Sequence, residues 1–205
     1  MCDLMCNDYQ AVILRIDPSV SFSAKAQKRI AVFVRRRMGA TPYERFVLMV
    51  PAKARIPAAM QTTVRRVARF PSGRIFGLLV AARELRSVAC LSFELEKVGV
   101  SAVGLNVHET GIKVADEDPV CPINVEPHLL RMALAGHAAV VLPISLATSS
   151  SGAIVVLSPR HVDFVMTLVA GSVGALRCEL IREISSSIQS VICSTYGSLN
   201  QSQSI

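Results

Sequence analysis

Two short, nearly unbroken apolar runs, residues 11–16 and 45–50, flank a segment of helical periodicity, and this alternation constrains the fold more than any other feature. Over residues 24–38 it sets Ile30, Val34 and Met38 on one side of a helix and basic residues on the other, with Gly39 as the stop. The pattern repeats along the chain. Helices are expected at 57–70, opened by Pro57, and at 75–98, ended by Gly99, with a turn at Pro71-Ser72-Gly73 between them. Strands are expected at 100–105 and 112–114, then a loop at 115–127 and a short helix at 127–135. A strand at 138–146, a Ser-rich turn at 148–152, a strand at 153–157, a near-apolar helix at 159–173 and a strand at 177–184 complete the order.

Strands that are continuous apolar runs must be covered on both faces, because one solvated face would show as alternation. Combined with intervening helices, this predicts the α/β class: a three-layer αβα sandwich with a mainly parallel central sheet. One domain is expected over residues 1–184, followed by a Ser-rich tail at 185–205 that frays over 198–204.

Composition narrows the class further. At 51% hydrophobic and 18% charged, the chain can bury a core and is neither a disordered tail nor a collagen-like repeat. The apolar runs fall short of the about 18 residues that a membrane helix needs, and the first ten residues carry Asp3 and Asp8 rather than a secretory pattern. A cytoplasmic protein is expected. Six cysteines, at 2, 6, 90, 121, 178 and 193, form no paired ligand spacing, so no metal is expected, and Cys90 and Cys178 read as buried thiols. The net charge of +7 is uneven: residues 1–75 carry +10 and the remainder −3. The basic residues fall on expected helices without interleaved aromatics, which argues for solvated helix faces and against nucleic acid.

Several segments resemble the amino acid kinase fold, and within it the catalytic domain of aspartokinase. The resemblance runs over about residues 10–184. Its best local piece is Glu96-Lys97-Val98-Gly99-Val100-Ser101-Ala102 followed by Gly104-Leu105-Asn106-Val107-His108-Glu109-Thr110-Gly111-Ile112. This is similar to the family's helix-end-to-strand step before a Ser-Leu-Thr-Gly-x-Gln-Ala-Gly-Ile segment. Residues 129–141 resemble the family's helix, turn and Val-Val strand, and residues 157–170 occupy the slot of its Gly-Arg-Gly-Gly-Ser-Asp helix start.

The motifs that carry chemistry in that family are altered. Its opening strand ends in Lys-Phe-Gly-Gly-Thr-Ser, whereas this chain has Arg15-Ile16-Asp17-Pro18-Ser19. Arg15 stands in for the lysine, both glycines are gone, and Pro18 has no N–H to offer a phosphate. The family's Thr-Gly-Glu-Arg, whose glutamate grips the substrate's amino group, is matched by Ala81-Ala82-Arg83-Glu84, a register that puts a cation in the carboxylate's place. The third motif reads Ser158-Pro159-Arg160-His161-Val162-Asp163, of which Asp163 alone matches in kind. The resemblance therefore implies an aspartokinase-like protein, shortened by the nucleotide-binding half, that has lost ATP-dependent phosphoryl transfer. It would serve in binding, regulation or scaffolding, as a homodimer joined through helix 75–98.

The other reading is an ATP-independent enzyme acting on a carboxylate-bearing, amino-acid-like metabolite in the old cleft. His161, Glu109 and Asp163 would be its acid–base residues. Arg15, Arg83, Glu84, Asn106 and Arg160 would bind substrate, arginine being suited to bidentate grip on a carboxylate. Neither reading calls for a cofactor.

Overall fold

The structure, a computed structural model, describes residues 9–18, 20, 23–51, 73–115, 122–158, 161–184 and 187–195. The helix expected at 57–70 lies outside these residues.

The main sheet has six strands in the order β10-β9-β1-β2-β6-β3. They are β1 (Gln10–Ile16), β2 (Glu44–Val50), β3 (Ala102–Gly104), β6 (Ala139–Pro143), β9 (Arg177–Ile184) and β10 (Ser187–Thr195). All neighbours are parallel except β9 and β10. In β1, Val12, Ile13 and Leu14 are fully buried, as an unbroken apolar run requires. Ile13 lies between Val47 of β2 and Cys178 of β9, so alternate residues of each strand feed two separate cores. One core takes Val12, Leu14, Phe46 and Leu48 with helices α1 (Ala24–Ala40) and α2 (Gly73–Lys97). The other takes Ile13, Val47 and Met49 with α3 (His128–Gly136) and α4 (Val162–Val173). Helices cover both faces, giving the expected αβα sandwich. Each buried Leu or Ile side chain contributes about 1.5–3 kcal/mol. Helix α1 starts where Ser23 Oγ accepts from the Ala26 N–H, 3.3 Å away.

A second sheet was not expected. It has the order β5-β4-β7-β8, from β4 (Ile112–Val114), β5 (Pro122–Val125), β7 (Leu146–Thr148) and β8 (Ile154–Val156). The segment read as a loop over 115–127 thus contains β5. The run read as one strand over 138–146 breaks at Ile144-Ser145, and β6 and β7 belong to different sheets. Pro143 ends the first, having no N–H for the ladder. The Ser-rich segment after residue 184 also forms a strand: β-branched Ile188, Val191 and Ile192 carry β10 against β9 despite the serines. Cys178 is buried as expected, but Cys90 is exposed on α2.

A charge network pins the amino-terminal edge of the sheet on its α1 face. Arg37 Nη1 donates to Glu179 Oε2 at 2.8 Å and Arg37 Nη2 to Glu179 Oε1 at 3.0 Å, while Arg177 Nε donates to Glu179 Oε1 at 2.7 Å. Arg177 also bonds Glu44, which accepts from Thr41 Oγ1 at 2.9 Å. The basic face of α1 is therefore partly used inside the fold, since Arg29 also pairs with Glu183.

Candidate functional site

In a parallel sheet, sites form beyond the carboxyl ends of the strands. Arg15 is near that end of β1 and projects to the α4 side with Ile13. Its Nη1 donates to Asp163 Oδ1 in the first turn of α4. The two differ in freedom: the Arg15 side chain is 21% exposed and Asp163 72%. Arg15 Nε is buried and bonds nothing. The arginine is the fixed member and the carboxylate the one able to swing away. Just beyond, Asp17 lies 3.4 Å from Arg182 of β9.

Asn106 and Glu109 follow β3 at the same edge and bond within their own turn. Glu109 Oε2 accepts from the Asn106 N–H at 2.8 Å, and Asn106 Oδ1 accepts from the N–H groups of His108 and Glu109 at 2.9 and 3.2 Å. His161 precedes α4, with Nδ1 3.0 Å from Ser158 Oγ. Arg160 lies outside the described residues. Of the expected set, then, Arg15 meets Asp163 and Asn106 meets Glu109, while His161 is held by Ser158.

Glu84 departs from expectation. A carboxylate turned inward on α2 should find a charged partner, yet Glu84 is 3% exposed and faces Ser145. Burial raises its pKa to about 7; the Ser145 hydroxyl and backbone N–H, then Arg83, pull the other way. Neither carboxyl oxygen completes a hydrogen bond of ordinary geometry. Arg83, beside it, is only half-buried. Ser145 itself escaped the sequence reading; its one signal was the Pro143-Ile144-Ser145 interruption between two apolar runs.

No family model matches the chain. An aspartokinase from Thermus thermophilus is 28% identical over 137 residues, 66% of this chain and 34% of that protein. The aspartate kinase from Synechocystis superposes with a TM-score of 0.63 at 20% identity, over 85% of this chain and 28% of that one. This chain is aspartokinase-like, with the amino acid kinase fold. Aspartokinase III from E. coli, solved with aspartate and ADP, gives a TM-score of 0.58 at 15% identity, over 83% of this chain and 48% of that one. The aspartokinase-like chain spans about a third of the length of the curated relatives it matches. Among its described residues no helix is long and apolar enough to cross a membrane.

Proposed function

We propose that this aspartokinase-like chain binds a small amino-acid-like carboxylate at the strand-end edge and does not transfer a phosphoryl group. The observation that carries this reading is the engagement of Arg15 by Asp163 where a kinase needs a free cation facing phosphate. Asp17 adds negative charge beside it, and Pro18 removes a backbone donor. A ligand carboxylate can take the bidentate face of Arg15 by displacing the exposed Asp163.

Glu84 supplies the other half. Sliding the motif match by one residue sets Ala82-Arg83-Glu84 against Thr-Gly-Glu, which puts Glu84 rather than Arg83 in the place of the family's amino-binding glutamate. Its burial without an ion pair among the described residues supports that register. Binding is favoured over ATP-independent catalysis because Glu109 is spent on the Asn106 N–H and His161 Nδ1 on Ser158.

The dimer belongs to the same proposal. Helix α2 exposes Ile75, Leu78 and Phe93 at 51%, 54% and 58%, and a second copy would cover them. Calorimetry with aspartate and with Mg-ATP tests the binding function. Heat is expected with aspartate, lost in Arg15→Gln, and none with Mg-ATP; phosphorylation of aspartate would refute it. Light scattering tests the dimer, which Phe93→Glu should dissociate.

A further inference from the structure

At the amino-terminal edge of the main sheet, opposite the candidate site, the two faces treat arginine differently. On the α1 face Arg37 and Arg177 share two carboxylates, Glu44 and Glu179. On the α3–α4 face Arg45 and Arg131 share none: among the described residues neither makes an ion pair.

The placement is set by register. Arg45 is the Cα partner of Ala11, and Ala11, Ile13 and Val47 lie in the core that α3 and α4 cover. Arg45 therefore opens onto that face, beside Tyr9, which packs partly buried against the same core. Arg45 Nε is shut off from solvent and bonds nothing. Arg131 reaches over from α3 and is anchored at the end of α4, where its Nε donates to the Ser172 carbonyl at 2.8 Å. That bond holds the guanidinium through a neutral acceptor, with no ion pair to it among the described residues. Both guanidiniums act on the Tyr9 hydroxyl. Burial raises the phenol's pKa, and Arg131 and then Arg45 oppose the rise.

We infer that Tyr9, Arg45 and Arg131 form a binding site for a small oxyanion carrying two negative charges, a phosphate or a dicarboxylate, remote from the strand-end site. Two guanidiniums supply charge-assisted donors in a planar fork, and the phenol supplies a neutral one. Arg45 is half-buried and has no ion pair among the described residues, which is costly; a bound dianion offsets that cost, and the exposed Arg131 adds a second guanidinium to hold it.

The test is calorimetry on the full chain at low ionic strength, with inorganic phosphate and with succinate, against sodium chloride of matched ionic strength. Saturable binding is expected for at least one of the two, and which one binds names the source of the oxyanion. Arg131→Ala, an exposed position that the fold tolerates, should weaken it about tenfold or more, and Arg45→Gln likewise. Tyr9→Phe should weaken it by about threefold, and Arg15→Gln should leave it unchanged. Heat equal to that of sodium chloride, or binding that survives Arg131→Ala, overturns the inference. So does binding that appears only when Asp3 and Asp8 are changed to Asn, since the chain's own acids would then fill the place.

Discussion

Arg15 at the end of β1 donates to Asp163 at the start of α4, across 148 residues of sequence. Asp163 is three-quarters exposed and Arg15 one-fifth, so the pair joins a mobile carboxylate to a fixed cation and is no structural staple.

Stability should therefore barely register the loss of the pair. Asp163→Asn is expected to cost less than about 1 kcal/mol in urea denaturation, as exposed ion pairs do. Binding should respond in the opposite sense. With the competing carboxylate gone, Asp163→Asn should tighten aspartate binding by up to about fivefold, the same energy read as affinity. Weaker binding would mean that Asp163 touches the ligand itself.

The charge network at the other end of the sheet is a contrasting case. Burial pushes the Glu179 carboxyl up, but hydrogen bonds from Arg37, Ser190 and Arg177 overcome this and hold it at about 2. The folded pKa is below the ordinary 4.5, so its stabilisation is complete above that value and is lost as pH falls toward 2. Glu179→Gln leaves two arginines underpaired and should cost about 3 kcal/mol at pH 7. The difference from wild type should shrink below pH 4.5 in urea titrations; a constant difference down to pH 3 would place the network's contribution elsewhere.

What the sequence disclosed follows from which forces are local. Strands β1 and β2 and helices α1 and α2 were legible because burial on both faces and the helical period are written into neighbouring residues. Strand β10 was obscured because its serines outweigh Ile188, Val191 and Ile192 in any composition count, while the edge of β9 decides the outcome. The β6–β7 break was hidden because Ile144 and Ser145 are both buried and interrupt the run only by changing sheets. Arg15 and Asp163 were each identifiable from a motif, but their meeting depends on α4 packing beside β1. Glu84 was named among the substrate-binding residues, but its burial without an ion pair was not legible, because a lone buried carboxyl goes against the rule that charges are paired, and such exceptions gather at sites.

Glycine at position 111 should be irreplaceable where glycine at 152 is not. Both have positive φ, +70° and +76°. A Cβ on Gly111 would stand 2.2 Å from the Glu126 carbonyl oxygen, whereas one on Gly152 meets nothing within 4 Å. Gly152→Ala should cost about 1 kcal/mol, the left-handed penalty alone. Gly111→Ala must also part β4 from β5 and should cost about 2 kcal/mol more. Equal losses in denaturant melts would mean that the β4–β5 corner yields freely.

Glu84 should make the protein lose stability as pH rises. Its folded pKa, near 7, lies above the ordinary 4.5, so between these values the native state holds a proton that the unfolded chain has released. Stability then falls with rising pH across that window and levels off above about 7. A shift of this size corresponds to about 3 kcal/mol. Glu84→Gln keeps the shape, removes the buried charge and should flatten the curve, so that the variant exceeds wild type at pH 8 and matches it near pH 5. Urea midpoints of both proteins from pH 4.5 to 8 decide it, and parallel curves would exclude a titrating Glu84. Aspartate should narrow the gap at pH 8, because an ammonium seated against the ionised carboxylate supplies a counter-charge in addition to that of the half-buried Arg83.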